Sequence, residues 1–301
     1  MNKFATSPKI KRAIGNKTIY VFTGKDKNID SETVQSFGDE WLKFNEFSDE
    51  DIQIAGNQYF DIVPASIYTG KYVLDIGCGT GRWSKFLSKK VDAIEAIDPS
   101  EAVVSAASLL QNDENVRISQ ASAGDIPFPD NTFDFALSLG VLHHIPDTQA
   151  AMQKCIDKLK PGGYFLVYLY YSLDNRGCFF KFLFYISNLV RRIVSSFPFQ
   201  LKKFVCDLLA FTLYLPFIAI ARIVRLIGFR KWTKCIPLSY YVGKSMNIIR
   251  NDALDRFGTP LEQRFSKEKI RQMMMHSGLT DIVFSEKMPY WHALGKKKQG
   301  I

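Results

Sequence analysis

A glycine-rich turn and two carboxylates stand where a small charged ligand could bind. The largely apolar run 73–76, which includes Asp75, leads directly into Gly77-Cys78-Gly79-Thr80-Gly81, and a helical pattern follows. Glycines let the backbone turn sharply and approach a ligand, and the start of a helix offers N–H groups to a carboxylate or phosphate. Asp98 ends the next apolar run, where its carboxylate could accept hydrogen bonds from both hydroxyls of a ribose. These residues predict a cofactor site.

Short apolar runs alternate with amphipathic stretches between residues 71 and 171. The predicted strands are Tyr72–Ile76, Ala93–Ile97, Phe133–Leu139 and Tyr164–Tyr170. The predicted helices are Arg82–Lys89, Glu101–Gln111 and Thr148–Leu159. Strands that alternate with helices indicate βαβ units, so we expect an α/β fold with a doubly wound parallel sheet.

The glycine spacing and three later segments identify a family resemblance. The spacing is GxGxG rather than the GxGxxG of NAD-binding turns, and with Asp75 ahead of it the turn resembles motif I of class I S-adenosylmethionine-dependent methyltransferases. The segments 126–134, 138–147 and 159–164 resemble, in order and spacing, those of the type 11 methyltransferases. The resemblance covers residues 70–171.

The resemblance implies a Rossmann-like sheet of seven strands, with a large helical insertion after the fifth strand, and S-adenosylmethionine as cofactor. Methyl transfer to an acceptor would then be an in-line displacement, for which alignment supplies much of the rate. It also implies a set of cofactor contacts near the carboxyl ends of the strands. The residues at the matching positions are Asp75, Gly77, Cys78, Gly79, Gly81, Asp98, Pro99, Ser122, Ala123 and Leu139.

One position departs from the family pattern. An acid usually stands four residues before the Leu-Pro-Phe motif, here Ile126-Pro127-Phe128, and contacts the adenine amino group. Ser122 occupies that position. Asp125 could substitute only with a rearranged loop, and otherwise the Ser122 hydroxyl, backbone groups and apolar neighbours such as Ala123 would hold the adenine.

Two adjacent histidines follow the fourth predicted strand, at the edge where ligands bind in open α/β sheets. If the acceptor must lose a proton, His143 or His144 could serve as the general base, since an unperturbed histidine titrates near neutral pH. In the alternative interpretation the pair packs within the loop and caps backbone groups.

The charge of the chain is unevenly distributed. The net charge is +9, yet residues 175–235 contain eleven basic residues and one acid, Asp207, so that this window carries +10 and the remainder −1. Ten of the 24 phenylalanines lie in the same window.

We therefore divide the chain into an N-terminal extension with short helices (1–69), a cofactor-binding core (70–171), a basic aromatic helical insertion (172–264) and a C-terminal helix with the last strands (265–301). The first 30 residues are polar, and we expect them to be loosely ordered.

The insertion allows three interpretations. We expect helices broken at Pro198 and Pro216 that lie in a membrane interface, with basic side chains toward anionic headgroups. A cap packed on the protein itself is the second possibility. A transmembrane span over residues 204–221 is the third, and Asp207, Pro216 and the positive flanks argue against it. The density of Leu, Ile and Val argues against a nucleic-acid groove.

The charge-dense stretch 250–265 is either a salt-bridged connector or part of an acceptor pocket. If it belongs to a pocket, Tyr240, Tyr241 and Arg256 are the candidate substrate contacts. The acceptor itself is open between a small molecule and an amphipathic or lipid-linked compound. A membrane-associated module that binds the cofactor without catalysis is a further alternative, because Ser122 departs from the family pattern and no general base is assured.

The five cysteines form no CxxC pair and have no histidine at metal-ligand spacing. We therefore expect no disulfide framework and no metal site. The start of the chain has no apolar signal-peptide region, so we expect a cytoplasmic location, with peripheral contact to an anionic membrane.

Overall fold

A computed structural model describes residues 2–22, 24, 26–43, 47–174 and 177–299. The chain divides into two compact units. The sheet unit comprises Met1–Asp174 and Leu261–Ile301, and the helical unit comprises Asn175–Pro260.

The sheet unit is built on one mixed sheet, to which the described residues contribute nine strands in the order β1-β2-β5-β4-β3-β6-β7-β9-β8. The strands are β1 (Ile10–Ile14), β2 (Lys17–Val21), β3 (Tyr72–Ile76), β4 (Ala93–Asp98), β5 (Val116–Gln120), β6 (Phe133–Leu139), β7 (Leu159–Tyr168), β8 (Leu279–Phe284) and β9 (His292–Lys297). All neighbours from β2 to β7 are parallel, whereas β1, β8 and β9 pair antiparallel. The α/β prediction is confirmed.

The strand count corrects two expectations. Seven strands, β5-β4-β3-β6-β7-β9-β8, form the expected core, and the hairpin β1–β2 adds two more along β5. The first 30 residues are therefore not all loosely ordered, because this hairpin completes a sheet edge in which Ile19 is fully buried. The sequence had indicated no strand there, since charged and polar residues interrupt its apolar positions.

Helices cover both faces of the sheet. The sheet unit contains α1 (Ser31–Lys43), α2 (Asp49–Tyr59), α3 (Arg82–Ser88), α4 (Ala102–Leu109), α5 (Thr148–Asp157) and α10 (Lys267–His276). Successive strand residues enter different cores, as the two-residue period of a strand requires: Val73 packs in one cluster and Leu74 in the other. Burial on both faces holds the strands rigid, so that loops at their ends can position a ligand.

The helical unit follows β7, which is the fifth strand of the parallel core in chain order. It contains α6 (Cys178–Val194), α7 (Phe199–Leu209), α8 (Leu215–Leu226) and α9 (Met246–Gly258). A π-helical segment, Ala210–Tyr214, joins α7 to α8 without interruption. We refer to Phe199–Leu226 as the long helix.

The expected break at Pro198 is confirmed, but the break at Pro216 is wrong. Pro198 caps the start of α7, whereas Pro216 lies within the first residues of α8, directly after the π-helical segment. A proline inside a regular α-helix removes one hydrogen bond and its ring clashes with a carbonyl of the preceding turn. The wider π turn accommodates both changes.

Candidate functional site

The carboxyl ends of the central parallel strands meet at one edge of the sheet, and the predicted cofactor residues lie there. β3 ends at Ile76, β4 at Asp98 and β6 at Leu139, while Ser122 and Ala123 follow the end of β5. Open α/β sheets bind ligands outside this edge. The fold thus brings residues from four separate parts of the sequence to one place.

The turn after β3 has a backbone that favours glycine. Gly77, Gly79 and Gly81 have φ angles of 72°, 53° and 84°. A Cβ on Gly77 would overlap Val141, whereas a Cβ on Gly79 would meet no atom nearer than the Trp41 ring at 3.9 Å. Gly77 therefore permits close packing, and Gly79 leaves its backbone open to a ligand.

Asp98 is fixed against this turn. Its Oδ2 accepts a hydrogen bond from the Gly79 N–H at 3.0 Å, and its Oδ1 accepts from the N–H and hydroxyl of Ser100 at 2.8 and 2.6 Å. Burial raises the pKa of Asp98, and these hydrogen bonds offset part of the rise. Because a carboxylate has about four lone-pair sites, Asp98 can still accept from ribose hydroxyls.

Asp75 is fully buried below the turn, and only one of its two carboxylate oxygens has a hydrogen-bond partner among the described residues. Its Oδ2 accepts a hydrogen bond from the Ser84 hydroxyl at 2.7 Å, while its Oδ1 has no hydrogen-bond partner within the described part of the chain. Burial, with a smaller contribution from the negative charge of Asp98, raises the pKa of Asp75 to about 7. A buried acceptor without a partner is costly, so this oxygen is suited to a positively charged or hydrogen-bond-donating ligand.

Three further predicted residues support the edge by position. The Cys78 carbonyl accepts the Gly81 N–H at 2.8 Å, and burial raises the pKa of its thiol well above the usual range. The Pro99 carbonyl accepts a 3.3 Å hydrogen bond from Gln120, and Leu139 is buried at the end of β6. Cys78 is thus a turn residue with an inert thiol.

The loop after β5 holds an unexpected carboxylate. The Ser122 hydroxyl donates a 2.7 Å hydrogen bond to Oδ2 of Asp26, which comes from the segment after β2. A Cβ on Gly124 would overlap the Asp26 carboxylate. Asp26 therefore places a carboxylate beside Ser122, the position at which the family usually has an acid.

His143 is fully buried in the short 3₁₀ turn Leu142–His144, and neither ring nitrogen has a hydrogen-bond partner among the described residues. Its ring stacks on Tyr170, with centroids 3.9 Å apart. Burial lowers the pKa of His143 well below its usual value, and the positive charges of His144 and Arg264 lower it further. The imidazole is therefore neutral near pH 7.

His144 is held by the backbone. Its Nδ1 lies 2.7 Å from the Leu261 carbonyl, which can only accept, so Nδ1 carries the proton. The ring also meets Phe37 of α1 edge-on, with centroids 4.7 Å apart. His144 thus makes the packing and backbone contacts of the alternative interpretation.

The three candidate substrate residues lie in the helical unit, and two of them join an internal network. The buried Tyr241 hydroxyl donates to Oδ1 of Asp252, and the Arg256 guanidinium lies 3.4 Å from Oδ2 of the same residue. Tyr214 also donates to Asp252, at 2.6 Å. Tyr240 is exposed and packs edge-on against Tyr241. Their role as substrate contacts stays a prediction.

Sequence reasoning missed Asp26, Val141 and Tyr170 at this edge. Asp26 stands in a polar stretch without a motif, and its contact with Ser122 spans 96 positions. Val141 and Tyr170 are apolar or aromatic neighbours whose contacts with Gly77 and His143 depend on strand register. A local pattern carries no signal for such contacts.

The edge fits a cofactor with a nucleoside at one end and a positive charge at the other. Asp98 offers acceptors for hydroxyl groups, the backbone at Gly79 is accessible, and Oδ1 of Asp75 has no hydrogen-bond partner among the described residues. S-adenosylmethionine has these groups: a ribose, a sulfonium and an ammonium.

Comparison with known proteins agrees with this geometry. Residues 74–167 match the sequence profile of a family described as a methyltransferase domain, type 11. The chain is similar to "Uncharacterized methyltransferase YcgJ" of Bacillus subtilis (strain 168), with 34% identity over 106 residues, 34% of this chain and 42% of that protein. It is also similar to a ubiquinone biosynthesis O-methyltransferase of Azotobacter vinelandii, with 34% identity over 113 residues, 36% of this chain and 46% of that protein.

The chain thus spans less than half the length of these two relatives. A solved structure described as a methyltransferase from Bacillus halodurans C-125 is 14% identical, covers 77% of this chain and 72% of that chain, and has a TM-score of 0.47. The assignment rests on the sequence profile and on the order of the core strands. Residues 74–167 thus form a class I methyltransferase domain of the type 11 family, with a Rossmann-like fold and S-adenosylmethionine as its cofactor.

Proposed function

We propose that this protein is a methyltransferase that acts on an amphipathic or lipid-linked acceptor at the cytoplasmic face of an anionic membrane. The transferase part of the proposal rests on the domain at 74–167 and its sheet edge. The membrane part rests on one observation, the exposed apolar and basic surface of the helical unit.

The sheet edge is suited to binding and aligning the cofactor. S-adenosylmethionine supplies an electrophilic methyl group on a positively charged sulfur. Asp98 and the backbone of Gly79 would hold the nucleoside, and Asp75 would lose its proton from Oδ1 as positive charge approaches. Alignment of this kind supplies much of the rate of an in-line displacement.

His143 remains the candidate for handling an acceptor proton. Neither ring nitrogen has a hydrogen-bond partner in the described part of the chain, so the unprotonated nitrogen of a neutral His143 can accept a hydrogen bond from an acceptor hydroxyl or amine. Its lowered pKa makes it a weak base. We infer that His143 orients the acceptor, and that His144, whose Nδ1 is bound to the backbone, supports it.

Two helical faces of the helical unit expose large apolar side chains. On α6 the exposed positions recur at helical spacing: Phe182, Tyr185, Ile186, Leu189 and Ile193. On the long helix they are Leu201, Phe204, Leu208, Phe211, Ile220, Ile223 and Leu226. Large exposed apolar side chains that recur along a helix face are typical of interaction sites. We call these residues together the apolar face.

Basic and aromatic side chains cluster at the end of the long helix. Arg222, Arg225, Arg230 and Lys231 are exposed there, beside the exposed rings of Phe229 and Trp232. Tryptophan, arginine and lysine are the residues that anchor helices at the headgroup level of an anionic membrane. Charge complementarity thus favours anionic lipid over an uncharged protein partner.

The polar contacts of the long helix favour an interfacial position over a span. By length and composition the long helix is the one described helix that could cross a membrane. However, Arg250 of α9 holds Asp207 through two hydrogen bonds of 2.7 Å, and Tyr214 binds Asp252. If the long helix spanned the membrane, α9 with its charged Arg250 and Asp252 would enter the hydrocarbon with it, which is costly. Lying flat, the long helix keeps α9 in water.

Flotation with lipid vesicles tests the membrane proposal. The full chain is expected to float with vesicles of phosphatidylglycerol and phosphatidylcholine, and less with phosphatidylcholine alone. Phe204→Glu combined with Ile223→Glu is expected to weaken partitioning tenfold or more, because it removes about 3 kcal/mol of apolar burial and adds charge.

Gln200→Glu is the control for added charge, since it places one of the two negative charges of the double variant at an exposed position of the same helix without removing an apolar side chain. Its partitioning should stay close to that of the unsubstituted chain. If the unsubstituted chain floats with neither vesicle, the membrane proposal is wrong, and a soluble methyltransferase with the helical unit as a substrate cap replaces it.

A further inference from the structure

The carboxylate of Asp26 has a defined place beside the loop after β5. Oδ2 accepts the Ser122 hydroxyl at 2.7 Å, and Oδ1 accepts the Asn28 N–H at 2.9 Å. Both oxygens are therefore oriented, while the residue remains only partly buried. Partial exposure leaves room for another donor to reach the carboxylate.

The N-terminal hairpin carries Asp26 to this place. β2 runs parallel to β5, and the Phe22 N–H continues the pairing with a 3.0 Å hydrogen bond to the Gln120 carbonyl. On the other side, the Asn28 side chain exchanges hydrogen bonds of 2.8 and 2.7 Å with the backbone of Asp147. Phe22 and Asn28, which stand on either side of Asp26 in the sequence, are thus held at β5 and at the loop after β6, respectively.

Gly124 leaves space for the carboxylate. A Cβ at this position would overlap both carboxylate oxygens of Asp26. The φ angle of Gly124 is not in the left-handed region, so the conformation of the backbone does not require glycine there. Glycine is required there because a larger side chain would overlap the carboxylate of Asp26.

The position of Asp26 indicates which part of the cofactor it meets. Along the edge, the glycine turn follows β3, Asp98 ends β4, and the Ser122 loop follows the next strand, β5. With the positively charged end of the cofactor near Asp75 on β3 and the ribose at Asp98 on β4, the base would extend toward the Ser122 loop after β5. A carboxylate only accepts hydrogen bonds, and the 6-amino group of adenine is a donor.

We propose that Asp26 accepts a hydrogen bond from the 6-amino group of the cofactor's adenine. Ser122 is then a positioning residue, because its hydroxyl orients the carboxylate. Asp26, which follows the N-terminal hairpin and lies outside the matched segment 74–167, would be a specificity-determining residue of the cofactor site. This inference rests on the proposed binding of the cofactor at the edge.

Calorimetric titration of the full chain with two ligands tests the inference. One ligand is S-adenosylhomocysteine, and the other is its analogue with hydrogen in place of the 6-amino group. Asp26→Ala is expected to weaken binding of the first about tenfold and to change binding of the second by about twofold at most, since only the first loses a charged hydrogen bond. Gly124→Ala displaces the carboxylate without removing it. This variant is also expected to reduce the ratio of the affinity for S-adenosylhomocysteine to the affinity for the analogue.

Glu32→Ala removes an exposed acid from the first turn of α1 and should leave both affinities unchanged. An equal loss for both ligands in Asp26→Ala would mean that Asp26 only supports the local fold, and the inference would be wrong. If Asp125→Ala changes the ratio of the two affinities and Asp26→Ala does not, then Asp125 and not Asp26 accepts the hydrogen bond from the 6-amino group. If the unsubstituted chain binds neither ligand, the proposed cofactor site at the sheet edge is wrong, and so is the proposed contact of Asp26 with the adenine.

Discussion

The two units of this protein distribute their apolar side chains in opposite ways. In the sheet unit, apolar residues fill two buried clusters, and carboxylates, glycines and histidines gather at one edge. In the helical unit, large apolar residues of α6 and the long helix are exposed, while Tyr214, Tyr241 and Asp252 form a network inside. The first distribution builds a ligand site on a rigid support. The second leaves apolar side chains at the surface, as the proposed membrane contact requires.

The difference also explains the charge of the chain. The excess of basic residues lies in the helical unit, and the remainder of the chain is close to neutral. In the proposed function, this charge attracts the helical unit to an anionic membrane surface. The proposed cofactor contacts lie instead at the sheet edge, above all at Asp75 and Asp98.

The sharpest contrast lies within the helical unit, between a buried and an exposed phenylalanine. Phe257 is 2% exposed and Phe204 is 65% exposed. Phe257→Ala is expected to lower the free energy of unfolding by about 3–5 kcal/mol, through lost burial and a cavity. Phe204→Ala is expected to change it by less than about 0.5 kcal/mol. Urea denaturation measures both, and equal losses would show that the apolar face is covered in solution.

The glycine turn offers a similar contrast in the sheet unit. Gly77→Ala is expected to cost about 3 kcal/mol, because it combines a positive φ with an overlap against Val141. Gly79→Ala carries only the cost of the positive φ, about 1–2 kcal/mol. Thermal unfolding of the two variants should separate them. Equal destabilisation would contradict the different surroundings of the two glycines.

Removal of the Asp98 carboxylate tests the ligand site directly. Asp98→Ala is expected to weaken binding of S-adenosylhomocysteine about 30-fold, which corresponds to about 2 kcal/mol of charged hydrogen bonding. Asp113→Ala serves as a control, because Asp113 binds Lys85 and Ser88 within the same unit. Undiminished affinity in Asp98→Ala would remove Asp98 from the site.

Asp75 predicts a pH dependence of cofactor binding. Its pKa of about 7 means that the carboxyl group holds a proton in half of the molecules near neutral pH. A positively charged ligand favours the carboxylate, so affinity should rise with pH. Between about pH 6 and pH 8 the dissociation constant of S-adenosylmethionine is expected to fall about tenfold, by proton linkage. Asp75→Asn should flatten this profile, and an unchanged slope in that variant would exclude Asp75 as its source.

The sequence predicted the sheet edge well because its signals are local. Glycines at 77, 79 and 81 directly follow a strand, and Asp98 ends the next one, so strand order alone brings them together. β5 was missed, since Arg117, Ser119 and Gln120 interrupt its apolar residues. The hairpin β1–β2 was missed for the same reason, and with it the contact of Asp26.

The helical unit was predicted less completely, because both sides of its helices are apolar. In the long helix, Cys206, Ala210 and Tyr214 form part of a buried stripe, while Phe204 and Phe211 are exposed. Hydrophobic periodicity cannot assign the buried side when both sides carry apolar residues. The continuous path through Pro216 depends on a π-helical segment, a backbone adjustment that a proline-based rule does not anticipate.

The most direct test of the account is the destination of the methyl group. Radiolabelled S-adenosylmethionine is incubated with the full chain and an extract of the host's membranes and cytosol, which is then separated into lipid and aqueous fractions. The account predicts that label enters the lipid fraction and that Asp98→Ala abolishes this transfer. Label confined to aqueous small molecules, or no transfer dependent on Asp98, would contradict it.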